Sequence, residues 1–327
     1  MPIEGGKKSR AAGAVERSRF NQRKPTINII GAGRLGTALA LALAARGYHI
    51  EAIMARRLNH ARRTAALLAT GAQAVSVTRP DLLPPTDLLF ITTPDDRIAQ
   101  AAACLADSFA KAGHQGRRRT TALHCSGALS SDALMPLARA GLRTGSMHPL
   151  VSISEPVQGA ERLRGAFFCV EGDAQAVRLA RALVRDLEGH SFSINGRDKA
   201  LYHAAAVTAS GHMVALFDIA TEMLTHCGLT ERRARAVLMP LVRSTLDNLS
   251  VQEPSRALTG TYARADIATV RAHLLALRKL SSRAALEAYL LLGARSLQLA
   301  RKNGLDAAAV EQIERALSEA WKSGRPE

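Results

Sequence analysis

The stretch Ile27-Asn28-Ile29-Ile30-Gly31-Ala32-Gly33-Arg34-Leu35-Gly36 constrains this chain more than any other segment. A β-branched run, a G-x-G-x-x-G turn and an Ala- and Leu-rich stretch through Arg46 follow one another, which is the order of strand, tight turn and helix. The first glycine permits the turn, the second lets a pyrophosphate approach the backbone, and the third lets helix pack on strand, with the helix N-terminus facing the anion. The segment predicts a dinucleotide-binding α/β domain, with Gly31, Gly33, Arg34, Leu35 and Gly36 around the phosphates.

From Thr26 the sequence alternates short apolar runs with helical segments, the signature of a doubly wound parallel sheet covered on both faces. Strands are expected at Thr26 to Ile30, Ile50 to Met54, near Val75, Leu88 to Thr92, Thr121 to Cys125, Thr144 to Met147, Phe167 to Glu171 and Phe192 to Ile194. After Gly196 only helical periodicity remains: Lys199 to Cys227, Glu231 to Leu249, Ile267 to Leu280, Arg283 to Asn303 and Ala307 to Lys322. Gly228 and Gly304 fit C-caps, and Thr230 and Asp306 fit N-caps. The expected organisation is a basic tail over 1–25 without structure, a Rossmann-type α/β domain over 26–195, and an all-α domain over 196–327. A chain of 327 residues is long enough for two such cores.

The net charge of +16 raises nucleic acid or a membrane surface as a partner. Its distribution argues against both. Residues 1–25 hold seven Lys and Arg against two Glu; a further cluster, Arg117 to Arg119, precedes a strand, and Arg178, Arg181 and Arg185 fall on a polar helix face. Aromatics at 4% offer no stacking platform for a single strand, and no nucleic-acid motif is present. No uninterrupted apolar run approaches the roughly 18 residues of a membrane span, and the N-terminus lacks the apolar core of a secretory signal. Cys104, Cys125, Cys169 and Cys227 form no C-x-x-C pair and read as buried thiols of a reducing compartment, so a cytoplasmic location is expected.

The end of the second strand decides which dinucleotide binds. An acidic residue there would accept from a ribose 2′-hydroxyl, but the sequence is Ile53-Met54-Ala55-Arg56-Arg57, and Glu51 lies too early in the strand. Arg56 and Arg57 offer guanidinium groups to a 2′-phosphate, which favours NADP (NADPH) over NAD. Thr93 and Pro94, just past the fourth strand, fall where the nicotinamide ribose would lie.

Three further segments bring polar residues to the same sheet edge: His124-Cys125-Ser126-Gly127, Ser146-Met147-His148-Pro149, and the helix opening at Asp198-Lys199. On that helix Lys199, His203 and Ser210 fall within about 40° of one line, with Tyr202 at its margin and His212 on the far side. For hydride transfer the protein must polarise a carbonyl or imine and move one proton. Lys199, desolvated in a cleft, suits the proton donor or the group that polarises the substrate, with His203 and His148 orienting and Ser126 beside them. His148 ranks above His124 because Pro149 fixes a turn beside it. The histidines lack a compact metal spacing such as H-E-x-x-H, so no metal is expected. A small-molecule substrate is the expected partner; an NADP-binding sensor or scaffold without turnover is the alternative.

The motifs GAGRLGTALA, TTPDDRIAQ, LHCSGAL, GSMHPL, FFCVEGD, KALYHAAAVTASGHMVALFD and LTGTYARAD, in this order, resemble bacterial Rossmann-like proteins with a C-terminal domain of unknown function, assigned as NADP oxidoreductases. That family is similar in plan to the 6-phosphogluconate-dehydrogenase-like superfamily, with ketopantoate reductase, pyrroline-5-carboxylate reductase and prephenate dehydrogenase. The resemblance implies a helical domain that dimerises, and it maps a helical Lys and a polar residue four positions on to Lys199 and His203. His148-Pro149 is similar to the His-Pro of prephenate dehydrogenases, and Ser210-Gly211-His212 to part of their helical domain. His203 replaces the commoner Asn, and Thr261 and Ala265 stand where Pro and Gly are expected in the loop from Leu258 to Asp266. If that loop covers the cleft, Arg264 would hold a substrate carboxylate rather than pair with Asp266, and Ser210 would join it in substrate binding.

Overall fold

The computed structural model describes residues 23–111, 120–280 and 282–323. Nearly all of the basic tail and the Arg117–Arg119 cluster lie outside these residues. The chain divides after Ala205 into two compact units.

The first unit runs β1 (Ile27–Ile30), α1 (Arg34–Ala45), β2 (Ile50–Ala55), α2 (Leu58–Ala66), β3 (Gln73–Ser76), β4 (Leu88–Ile91), α3 (Asp95–Lys111), β5 (Thr121–His124), α4 (Met135–Arg139), β6 (Arg143–Pro149), α5 (Pro156–Arg162), β7 (Phe167–Gly172), α6 (Ala174–Asp186) and β8 (His190–Phe192). It ends in α7 (Lys199–Ala209), which crosses the division. The strands form one sheet in the order β3-β2-β1-β4-β5-β6-β7-β8. Alternation sorts its side chains: Ile29, Leu88 and Phe90 pack with Leu39 and Leu43 of α1 on one face, while Ile30, Leu89 and Ile91 pack with Ile98 and Leu105 of α3 on the other. Each of these fully buried side chains contributes roughly 1.5–3 kcal/mol, so covering both faces explains why the strands read as continuous apolar runs.

Two expectations change. The sheet is not parallel throughout, because β7 runs antiparallel to β6. The link between them carries only α5, which packs on α1 with Gly159 close to Ala38, so the chain re-enters the sheet from the edge it left. The last strand spans 190–192 rather than 192–194, since Asn195 leaves the sheet to cap the following turn through the Arg197 N–H. Arg178, Arg181 and Arg185 do lie exposed on α6.

The second unit is helical among its described residues: α8 (Gly211–His226), α9 (Glu231–Val251), α10 (Pro254–Ala257), α11 (Ile267–Arg278), α12 (Arg283–Lys302) and α13 (Ala307–Ser323). Val270 and Leu274 of α11, Leu290 and Leu297 of α12, and Val310, Ile313 and Leu317 of α13 make its core. Thr230 caps α9, and the Asp306 carboxylate accepts from the Ala309 N–H at the start of α13. The single helix expected from Lys199 to Cys227 is broken at Ser210 (φ −119°, ψ −70°), where Gly211 adds the conformational freedom that weakens a helix. Residues 196–226 are nonetheless apolar and long enough to cross a membrane by length and composition, and mostly exposed. The stretch is not an unbroken apolar run, since Lys199, His203, His212 and Asp218 interrupt it, but these isolated residues barely lower the average.

Candidate active site

The glycine turn is built as its spacing demands. Gly31 has φ +123°, and a Cβ there would lie 2.8 Å from the Thr92 backbone; one on Gly36 would lie 2.0 Å from the Gly31 carbonyl oxygen. Neither position admits a side chain. At Gly33 a Cβ would meet nothing within 4 Å, so this glycine faces open space at the α1 N-terminus. The α1 helix has no side-chain cap and no acidic residue in its first turn, so its N–H groups and the exposed Arg34 are left to an anion. Thr92 Oγ1 donates to the Gly31 carbonyl (2.8 Å), tying β4 to the turn. Thr93 Oγ1 is buried without a hydrogen-bond partner among the described residues. Pro94, Arg56 and Arg57 are exposed at the same carboxyl edge, after β4 and β2. Open space at Gly33, an unused helix terminus and an orphaned hydroxyl at Thr93 fit a dinucleotide.

Beside the turn lies a cleft of about 420 Å³, lined by Arg34, Leu35, Asp95, Cys125, Ser126, Gly127, His148, Pro149, Val151, Ile153 and His203. Its size is that of a small-molecule site. His148 and His203 meet edge to face with ring centres 5.6 Å apart. Between them Gly127 leaves no room: a Cβ there would lie 2.3 Å from His203 Nδ1 and 2.9 Å from His148 Nε2.

The protonation of these rings follows from their partners. Ser126 N–H donates to His124 Nδ1 (3.1 Å), so the other nitrogen carries the hydrogen and donates to the Ser130 carbonyl (3.0 Å). Both nitrogens are committed, and burial pushes His124 down to about 4; it is a fixed neutral strut. His148 Nδ1 lies 2.7 Å from the Tyr202 hydroxyl. Burial holds that phenol protonated, and its proton has no other acceptor among the described residues, so Tyr202 donates and His148 carries its hydrogen on Nε2. Burial, with the positive charge of Lys199 behind it, pushes His148 down to about 3. His203 Nδ1 is buried and unpaired among the described residues.

Lys199 is not where the sequence reading put it. Expected as the proton donor in the cleft, it is 1% exposed and absent from the cleft wall. Its ammonium donates to the Ser126 carbonyl and to Ser146 Oγ, both at 3.0 Å, with no carboxylate in an ion pair among the described residues. Burial pulls its pKa below the ordinary lysine value. Lys199 and His203 share α7, but its first turn sits under the β5 and β6 ends, which buries position 199 and leaves 203 at the wall. Ser126 does line the cleft, although its hydroxyl accepts from the Ala128 and Leu129 N–H groups and so serves the loop. Cys125 is pushed up to about 12 by burial and stays a thiol.

Ser210 and Arg264 lie in the second unit, and both are exposed. Ser210 shares no helix with Lys199, because the break falls on it. Arg264 forms no salt bridge with Asp266, whose carboxylate instead caps α11 through Thr269. Ala265, standing where the resemblance leads one to expect glycine, has φ +53°. Against the expectation of buried thiols, Cys104 and Cys227 are exposed, on α3 and at the C-cap of α8; all four cysteines are free. His212 is exposed as well. Sequence reasoning missed Gly127, Asp95 and the Tyr202 contact; only the i, i+3 spacing of Lys199 and Tyr202 hinted at the last.

Comparison with known proteins accords with this fold. A Rossmann-like domain matches residues 12–149 and a domain of unknown function (DUF2520) matches residues 166–296. Protein TM1727 from Thermotoga maritima is 24% identical, with a TM-score of 0.65 over 85% of this chain and 99% of its own. The 1-pyrroline-5-carboxylate reductase of Streptococcus pyogenes is 17% identical (TM-score 0.54, 91% and 99%). A reductive aminase from Aspergillus terreus, in complex with NADPH and ethyl-5-oxohexanoate, is 14% identical (TM-score 0.53, 93% and 96%). These likenesses establish the fold. No curated protein matches the chain.

Proposed function

We propose that this chain, a Rossmann-like domain joined to a DUF2520 domain, is an NADPH-dependent oxidoreductase of a small carbonyl or imine substrate. The observation that carries the reading is the pairing of an anion-ready glycine turn with an adjoining cleft walled by two imidazoles. The TTP turn and glycine turn would hold the cofactor through Gly31, Gly33, Arg34, Leu35, Gly36, Thr93 and Pro94, and Arg56 and Arg57 would take a 2′-phosphate. When bound, the nicotinamide supplies or accepts the hydride.

The chain's own side chains then divide the remaining work. His148, neutral and with its Nε2–H fixed by Tyr202, orients the substrate heteroatom. His203, with an unpaired nitrogen at the wall, holds or gives the proton. Lys199 acts from beneath, without touching substrate. Leu35, Val151 and Ile153 keep the cleft partly apolar and exclude water. The same proposal covers a homodimer built through the helical unit, supported by the exposed apolar residues of α8 and α9, and a cytoplasmic location, supported by four free cysteines.

Calorimetric titration with NADPH and NADH, repeated on an Arg56→Ala, Arg57→Ala double variant, tests the cofactor. Tight NADPH binding that the variant loses supports it, and no binding of either nucleotide overturns it. Screening keto and imino substrates then tests turnover: His203→Asn should lose about 10²- to 10⁴-fold in kcat, the usual worth of a positioned proton-transfer group, with NADPH affinity unchanged. NADPH binding without turnover of any carbonyl or imine would leave a sensor.

A further inference from the structure

Lys199 is a buried ammonium with no carboxylate in salt-bridge contact among the described residues, Glu171 and Asp95 acting on it only from further off, an arrangement that costs stability and needs a reason. One of its two acceptors is the Ser126 carbonyl, which belongs to the same peptide unit as the Gly127 N–H. No cis peptide occurs among the described residues, so this N–H points opposite to the carbonyl, away from the buried ammonium. Gly127 and Ser126 line the cleft, whereas Lys199 does not. The flanking N–H groups of Ser126, Ala128 and Leu129 are all taken by the side chains of His124 and Ser126, while Gly127 N–H has no acceptor among the described residues. His148 Nε2, the nitrogen bearing the hydrogen, lies 2.9 Å from where a Gly127 Cβ would be.

We propose that the Gly127 N–H and the His148 Nε2–H together seat an anionic or carbonyl oxygen of the substrate, and that Lys199 is the positioning residue that polarises the Ser126–Gly127 peptide to strengthen that seat. A charged donor on the carbonyl draws electron density along the peptide and makes its N–H a better donor, because hydrogen bonds in a chain reinforce one another and low-dielectric surroundings enlarge the effect. The space a Gly127 side chain would take is filled by the His203 and His148 imidazoles, so the ligand oxygen approaches the backbone from its N–H side. The inference rests on the proposed oxidoreductase reading and deepens it: the substrate class becomes one with an oxygen acceptor, a carboxylate or a ketone oxygen, at the His148 end of the cleft.

Glycine-selective ¹⁵N labelling of the full chain separates the two claims in one sample. Acetate is the probe for the seat, and NADPH the probe for the cofactor site; the amide of Gly127 reports the first, and those of Gly31, Gly33 and Gly36 report the second. Acetate is expected to move the Gly127 amide proton downfield saturably in the wild type. In Lys199→Met the free Gly127 amide should lie upfield and acetate should bind about tenfold more weakly, the gap between charge-assisted and neutral hydrogen bonds. Ser146→Ala, which removes the other acceptor of Lys199, keeps the peptide polarised and should leave acetate affinity within about twofold, given the scatter of such contacts. His148→Gln should weaken acetate without moving the free Gly127 amide. Should Lys199→Met fail to fold, the wild-type shift and the Ser146 and His148 variants still decide. The proposal is overturned if acetate leaves Gly127 unmoved in the wild type, if Lys199→Met binds acetate as the wild type does, or if Ser146→Ala weakens acetate as much as His148→Gln. NADPH shifts at the glycine turn without an acetate response at Gly127 would sink the seat and spare the cofactor reading; the reverse would sink the cofactor reading alone.

Discussion

Gly127, His124 and His148 each carry a consequence that is measurable one side chain at a time. A methyl group at Gly127 would sit 2.3 Å from His203 Nδ1, so Gly127→Ala should cost about 1–3 kcal/mol by overpacking and block turnover while NADPH still binds. Denaturant melts alongside NADPH calorimetry check both halves. His124 and His148 are held neutral, down to about 4 and about 3, against an ordinary histidine near 6.5 in the unfolded chain. Between those limits the unfolded chain binds more protons than the folded one, so stability is fully present above pH 6.5 and falls as the pH is lowered. With two such groups the slope near pH 5 should reach about 2–3 kcal/mol per pH unit. Unfolding free energies measured at pH 7, 6 and 5 test this, and His148→Gln should roughly halve the slope. A third residue, Ala265, pays for φ +53°; left-handed backbone costs a non-glycine residue about 1–2 kcal/mol, so Ala265→Gly should hold or raise the melting temperature although glycine usually lowers it.

At the scale of elements, α1 shows a conflict between stability and binding. Its first turn opens with Arg34 and holds no acid, the opposite of what the helix dipole favours. Arg34→Glu should therefore stabilise the ligand-free protein by about 0.3–1 kcal/mol and weaken NADPH by repelling its phosphates; thermal melts with and without NADPH should shift in opposite directions. Elements also mark how far the sequence can be read. The strand, turn and helix around Gly31 were legible because each demand there is local: a positive φ, a close approach, an open face. The identity of Lys199 and His203 was legible from helical spacing, but the burial of Lys199 was not, since its acceptors come from Ser126 and Ser146, 73 and 53 positions away. Gly127 and Tyr202 stayed hidden for the same reason: nothing in the LHCSGAL or KALYH segments says that His148 will arrive between them. The break at Ser210 escaped because apolar periodicity continues straight across it.

For the whole molecule, the exposed apolar surface of the helical unit sets the last expectation. Val214 is 69% exposed, Leu241 63% and Val251 77%, and Leu216, Val237 and Leu246 add to the same two helices, α8 and α9. Exposed apolar residues gathered on two packed helices favour an interaction site over a solvated face. A second copy of the chain is the occupant proposed here. Sedimentation velocity should give a species of twice the 34.9 kDa chain mass. Val214→Glu with Leu241→Glu should reduce it to the single-chain mass, because burying two unpaired carboxylates in an apolar contact costs far more than the contact returns. Every residue assigned to the cofactor lies in the first unit, so the double variant should keep its NADPH affinity. A variant that still sediments at twice the chain mass would place the interface elsewhere. Wild-type protein that floats with phospholipid vesicles, and loses this in the variant, would turn the 196–226 stretch from a subunit contact into a membrane-binding one.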